Sequence, residues 1–156
     1  MSNDAPRDTR IPVIRELTHA DMETLHQLEK QIFPDPWPKE SFDEIFNNPD
    51  WRALIAEVNA EIVGYACILV SAGEMHLANI AVVEAWRRKS VARRLLERIL
   101  ELAIAEKCAM ILLEVRVSNS GARAFYERNG FKELYTRKRY YRKPVEDALV
   151  MVRYLA

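Results

Sequence analysis

Cysteine is scarce in this chain: Cys67 and Cys108 lie far apart and outside any C-x-x-C spacing. That spacing argues against a disulfide framework and leaves two reduced, buried thiols acting as small hydrophobes. Three histidines without helical ligand spacing give no metal site, and no metal is expected. Net charge is also missing, because 23 acidic residues balance 23 basic ones. No overall field therefore steers the protein to nucleic acid or to a membrane surface. No apolar run approaches the roughly 20 residues needed to cross a bilayer. The opening MSNDAPRDTR is polar and lacks the apolar core of a secretory signal. Residues 1–10 thus read as a disordered tail, and the cytoplasm is the expected location. Internal repeats, low-complexity tracts and interdomain linkers are absent as well.

What remains is ordinary globular material, 49% apolar and 29% charged, enough for one core and a single domain over residues 11–156. Ile11 to Leu17 alternates as a strand. Thr18 with Asp21 forms a variant capping box ahead of a helical stripe of Met22, Leu25, Leu28 and Ile32. After the rigid FPDPWP break, Pro38 opens a second helix with Phe42, Ile45 and Phe46 inward. Ala53–Val58 and Ile62–Val70 form a hairpin, and Met75–Val83 is a third strand. Ser90–Glu106 is the strongest helix, with Val91, Leu95, Ile99 and Leu102 on one face. Strand, helix, strand and strand follow, at Met110–Val117, Asn119–Asn129, Phe131–Tyr140 and Ala148–Tyr154. The order β-α-α-β-β-β-α-β-α-β-β implies a mixed α/β sheet with helices on both faces. The two helical crossovers of the second half imply parallel pairing there.

Chemistry gathers in LEVRVSNSGARAFYERNGF (Leu113–Phe131). A carboxylate in an apolar strand, Glu114, is followed one helix later by a phenol, Tyr126, a candidate base and acid for one cleft. Arg116 shares a strand face with Glu114, so an intrastrand ion pair is the competing reading. Tyr126 follows Asn119 by about two helical turns, which points both the same way. Upstream, Arg87, Arg88 and Lys89 precede the start of the long helix. Unpaired N–H groups, the positive dipole end and cations meet there, and together they suit a phosphate. Trp37 and the pair Tyr140–Tyr141 are loop-side aromatics, fit either to cover a core edge or to line a peptide groove.

The stretches FPDPWPKESF, LANIAV, LEVRVSNSGARAFYERNGF and RKRYYRKPVEDALVM resemble the GCN5-related N-acetyltransferase superfamily, from about Ile14 onward. Within it, the first and last stretches resemble the ribosomal-protein-alanine N-acetyltransferases. The resemblance implies a mostly antiparallel central sheet with one splayed parallel pair. It implies acetyl-CoA as co-substrate, and the N-terminal alanine of a small-subunit ribosomal protein as acceptor. Ile80, Ala81 and Val82 then match the strand that pairs with the pantetheine arm. Arg88, Lys89, Ser90, Val91, Ala92 and Arg93 match the pyrophosphate loop, and Asn119 a further cofactor contact. Glu114 matches the proton acceptor and Tyr126 the proton donor; Trp37, Tyr140 and Tyr141 stay the substrate-binding candidates on the reading of loop aromatics alone. Ser90 stands where the family carries glycine, whose missing Cβ permits unusual dihedrals. A relative acting on a small amine or a lysine side chain stays open, as does a non-catalytic peptide- or ribosome-binding relative with an impaired cofactor site.

Overall fold

The structure is a computed structural model that describes residues 10–155, so the tail expected over residues 1–10 lies outside it except for Arg10. Its strands are β1 (Val13–Glu16), β2 (Trp51–Val58), β3 (Glu61–Ser71), β4 (Glu74–Val82), β5 (Met110–Arg116), β6 (Lys132–Arg142) and β7 (Val145–Tyr154). The helices are α1 (Met22–Ile32), α2 (Lys39–Asn47), α3 (Val91–Ala105) and α4 (Ser120–Arg128). Local chemistry explains the boundaries. Before α1, Thr18 N–H donates to Asp21 Oδ2 at 2.8 Å while Asp21 N–H donates to Thr18 O at 3.0 Å. Pro38 caps α2, which buries Phe42 and Ile45. Asn59 and Ala60 both take positive φ, as a tight turn between right-twisted strands requires.

The sheet order is β1-β2-β3-β4-β5-β7-β6. Every neighbouring pair is antiparallel except β4 with β5. The α3 crossover therefore yields the expected parallel pair, but the α4 crossover does not. β7 takes the place beside β5 and pairs with it in antiparallel fashion, leaving β6 at the outer edge. Burial explains the exchange. β7 carries the apolar run Ala148–Val152, buried throughout, whereas β6 is exposed over nearly its whole length. A short turn ties the two together, so the apolar strand goes inside and its polar partner outside.

Side-chain alternation divides the core between the two faces. Leu54, Ala56, Ala66, Ile68, Ile111, Leu113 and Val115 meet Val91, Leu95, Leu96 and Ile99 of α3 and Tyr126 of α4. On the opposite face, Ala53, Ile55, Tyr65 and Cys67 meet Leu25 of α1 with Phe42 and Ile45 of α2. Along α3 the inward stripe runs through Ala103, not the expected Leu102, which is only partly buried. Gly64 brings α3 close. A Cβ at Gly64 would sit 2.9 Å from Ala81 O and 3.0 Å from Val91 Cγ1, so only glycine lets β3, β4 and the first turn of α3 meet there.

β4 and β5 pair over just four positions, from Glu74 opposite Met110 to Leu77 opposite Leu113. The register of β4 with β3 slips at that point: Ile68 faces Leu77 and Cys67 faces Asn79, so Ala78 is the extra residue of a bulge. A bulge bends its strand and increases the local twist. Beyond it the two parallel strands part, and a cleft opens between their C-terminal ends.

Candidate active site

The cleft has a volume of about 710 Å³ and is lined by Leu77–Val82 of β4, Leu113–Arg116 of β5, Asn119, Ala122, Phe125 and Tyr126 of the α4 region, and Tyr141 of β6. Glu29, Ile32, Phe33, Pro34, Asp35 and Trp37, at the end of α1 and in the segment after it, close its far end. A neighbouring hollow of about 540 Å³ shares Val82, Arg87, Ala92 and Phe125 with it and continues to Arg88, Ser90, Val91, Arg93, Arg128 and Asn129. Together they make one groove from α1 to the start of α3.

At the α3 end, a helix start opens beside several arginines. Ser90 is the N-cap residue, held at φ 65°, and its hydroxyl makes no capping bond. The first-turn N–H groups after it have no acceptor within the helix. Arg88 also sits at φ 62°. The arginines at 87, 88, 93 and 128 surround this point. Lys89 does not line the hollow; its ammonium lies 5.0 Å from the ring centre of Trp86. Along β4, Ile80, Ala81 and Val82 pair with Ala66, Tyr65 and Gly64 of β3. Among the described residues no strand covers their other edge, because β5 has already turned away. That exposed edge can hydrogen-bond an extended amide-bearing chain.

Glu114 is the first β5 residue past the last β4 pairing, and it lies on the face opposite the buried Leu113 and Val115. His76 Nε2–H donates to its Oε2 at 2.5 Å, and the Arg137 guanidinium stands 3.7 Å from its Oε1. The intrastrand pair with Arg116 does not form. Arg116 instead reaches Glu146 Oε1 at 3.3 Å and the carbonyls of Lys143 and Pro144, under the Tyr141 ring at 4.3 Å. Glu146 Oε2 also accepts from Ser118 N–H at 2.7 Å, which fixes the turn between β5 and α4. Asn119 caps α4 by accepting from Ala122 N–H at 3.1 Å.

Tyr126 is buried against Phe125 and Phe131, yet it reaches the cleft lining. Burial, with Tyr141 nearby, pushes its phenol well above the usual tyrosine range, so it keeps its proton at neutral pH. Tyr141 is pushed up to about 12, first by burial and then by Tyr140 and Glu114. The structure thus brings Glu114, Tyr126, Asn119, Trp37 and Tyr141 to one cleft. Tyr140 is not part of its lining. It packs edge-on against Tyr141 at 5.1 Å with Arg137 over its face. The register slip between Arg137 and Tyr141, with Arg139 at φ 53°, breaks the alternation that a sequence reading assumes.

Sequence reasoning missed two polar residues. Glu29 is 1% exposed and accepts three hydrogen bonds: Tyr65 Oη–H at 2.7 Å, Asn79 Nδ2–H at 2.8 Å and Trp37 N–H at 2.9 Å. It joins α1, β3, β4 and the FPDPWP segment in one knot. Its signal was available, four residues after Leu25 on the same helical face. His76 was equally visible, alternating with Met75 and Leu77. Among the described residues, no group of three or more His, Cys, Asp or Glu side chains can hold a metal, and no helix is long and apolar enough to cross a membrane.

Known proteins are similar to this chain in sequence and in fold. The ribosomal protein bS18-alanine N-acetyltransferase of Haemophilus influenzae is 36% identical over 149 residues, covering 92% of this chain and 99% of that one. The N-alpha-acetyltransferase RimI of Mycobacterium tuberculosis is 34% identical over 152 residues, 94% of each chain. The crystal structure of the ribosomal-protein-S18-alanine N-acetyltransferase from Escherichia coli has a TM-score of 0.86 at 28% identity, covering 94% of this chain and 95% of that one. Residues 22–131 match the Acetyltransferase (GNAT) family. With its splayed parallel pair, its arginine-flanked helix start and a likeness that runs nearly end to end, the chain belongs to the GNAT acetyltransferase family.

Proposed function

We propose that residues 11–156 form a cytoplasmic N-acetyltransferase domain that moves acetyl from acetyl-CoA to the α-amino group of a protein N-terminus. The acceptor we favour is the N-terminal alanine of a small-subunit ribosomal protein, as in the names of the H. influenzae and E. coli relatives. The observation that carries this reading is the presence of Glu114 and Tyr126 in the gap where β4 and β5 part. Ile80, Ala81 and Val82 offer an unpaired backbone edge to the pantetheine arm. The N–H groups of Ser90, Val91, Ala92 and Arg93, with the side chains of Arg88 and Arg93, suit the diphosphate. Lys89 contributes charge from outside the lining, and Asn119 borders the same channel. Trp37 and Tyr141 flank the acceptor end, with Tyr140 behind.

In the proposed reaction Glu114 takes a proton from the amine, directly or through a water. An α-amine has a pKa of about 7.7–8.0 against about 10.4 for lysine, so this proton is easily given up near neutrality. The freed nitrogen attacks the thioester carbonyl and sheds its second proton to solvent, and the carbon–sulfur bond then breaks. Tyr126 donates its proton to the departing sulfur. Neither step calls for a metal or for nucleic acid.

Mass spectrometry of a small acceptor panel with acetyl-CoA tests the reading. The panel holds an Ala-starting peptide, its α-blocked copy with an internal lysine, and spermidine. Acetyl confined to the free alanine is the expected result, and transfer only to lysine or spermidine would overturn the N-terminal assignment. Glu114→Gln and Tyr126→Phe should each lower kcat by roughly 10²–10⁴-fold. Near-native turnover in both would remove them from the chemistry.

A further inference from the structure

β4 carries a side chain that the proposed reaction leaves unused. Met75 and Leu77 are buried beneath α3, so His76 faces the other side of the sheet. Its cross-strand neighbours, Leu69 on β3 and Leu112 on β5, are apolar. Its polar contact is therefore directed: Nε2–H meets Glu114 Oε2 at 2.5 Å. The two residues straddle the fork of the sheet. His76 belongs to the paired stretch, whereas Glu114 stands just past the last β4–β5 partners.

That placement matters for a proton acceptor. A glutamate at the mouth of a gap has three rotatable bonds, and although β7 pairs with Glu114 on one side, β4 no longer flanks it on the other. A donor fixed to rigid backbone removes that freedom and occupies Oε2, leaving Oε1, 3.7 Å from Arg137, to take up a proton. The Arg137 guanidinium is a weaker restraint: it is half-exposed, on the edge strand, and 3.7 Å away. Glu114 itself is only 14% exposed, so few waters compete with the histidine for it. Tyr140 and Tyr141 also sense its charge but donate no hydrogen bond to it.

We propose that His76 is a positioning residue that holds the Glu114 carboxylate in the orientation that accepts the proton of the incoming amine. The inference rests on Glu114 being that acceptor. It makes His76 a determinant of turnover without contact to either substrate. Loss of His76 should reach kcat through Glu114 and leave cofactor affinity alone.

The test is a mutant cycle read by steady-state kinetics with an Ala-starting peptide and acetyl-CoA. His76→Ala should lower kcat about tenfold, short of the roughly 10²–10⁴-fold loss expected for the base itself, with KM for acetyl-CoA unchanged within about twofold. His76→Gln, whose longer amide restores an N–H donor, should recover most of the loss. His76→Asn, one methylene shorter, should not recover it, and it carries the test if the alanine variant folds poorly. Combining His76→Ala with Glu114→Gln should be no worse than Glu114→Gln alone, because the histidine acts only through the glutamate. Native kcat in His76→Ala and His76→Asn, or losses that multiply in the double variant, would overturn the proposal. Native turnover in Glu114→Gln alone would remove the assignment of Glu114, and this inference with it. A collapse of Glu114→Gln beside an intact His76→Ala would remove the inference only.

Discussion

The two ends of the groove are built by different physics. At the α3 end, backbone does the work: a bare helix start, an unpaired strand edge, and Arg88 and Ser90 held in left-handed conformations. At the α1 end, buried side chains do it. Glu29 ties Trp37, Tyr65 and Asn79 together. The contrast matches what each end would hold. A diphosphate is recognised by N–H groups and cations that any helix start can offer. One peptide end among many calls for a pocket of fixed shape, and directional bonds between elements supply fixed shape.

Changes that break the knot at the α1 end should have the largest effect. Glu29→Leu leaves the buried Tyr65 hydroxyl and the part-buried Asn79 amide and Trp37 N–H without their acceptor, at a cost of about 2–4 kcal/mol. The midpoint of denaturant unfolding should fall accordingly, and an unchanged midpoint would show that the knot contributes nothing. Next is Gly64→Ala, which pushes a methyl against Ala81 O, backbone that cannot simply swing away. A loss of about 1–3 kcal/mol is expected, with weaker acetyl-CoA binding because β4 and α3 must separate. Retained affinity in a titration would mean that the close approach is not needed for the cofactor.

Acid should act on a second side-chain knot, outside the groove at the start of α1. The Arg15 guanidinium, with help from Thr18, holds the Asp21 carboxyl down at about 2. A depressed value stabilises the fold above the ordinary aspartate range and loses that contribution as pH falls from about 4 towards 2, about 2 kcal/mol in all. Asp21→Asn should flatten stability against pH across that window, and an unchanged slope would place the acid sensitivity elsewhere. The smallest effect belongs to the α3 end. Ser90→Gly relieves a left-handed serine at the expense of a freer unfolded chain, so stability should rise by no more than about 1 kcal/mol. Acetyl-CoA affinity should hold, since the backbone N–H groups remain. A large loss of affinity would show that the Ser90 hydroxyl is itself a ligand group.

Sequence carried the parts of this molecule whose signal is periodic or local. The α3 stripe, the Thr18–Asp21 box and the strand–helix succession were all legible, because each depends on residues a few positions apart. Where β7 sits was not. A crossover through α4 suggested a parallel neighbour for β5, and only the relative burial of β6 and β7 decides otherwise. Glu29 and His76 escaped for another reason. Each is a polar residue on a face counted by its apolar neighbours, and its partners Tyr65, Asn79 and Glu114 come from distant segments. Tyr140 shows the converse, since a register slip near Arg139 turns an obvious pair of aromatics into one that faces the cleft and one that does not. Ser90 was readable as a departure, but its φ of 65° was not.

The four-position contact between β4 and β5 makes the seven-stranded sheet two smaller sheets joined at a seam. Strands β1 to β4 with α1 and α2 make one plate, and β5 to β7 make the other; α3 connects them in sequence. A ligand that hydrogen-bonds the free edge of β4 and packs against β5 acts as mortar in that seam. Occupancy should then slow amide exchange on both flanks together, including residues that touch no ligand. Such an enzyme would tighten as a body when it is loaded and loosen when its product leaves.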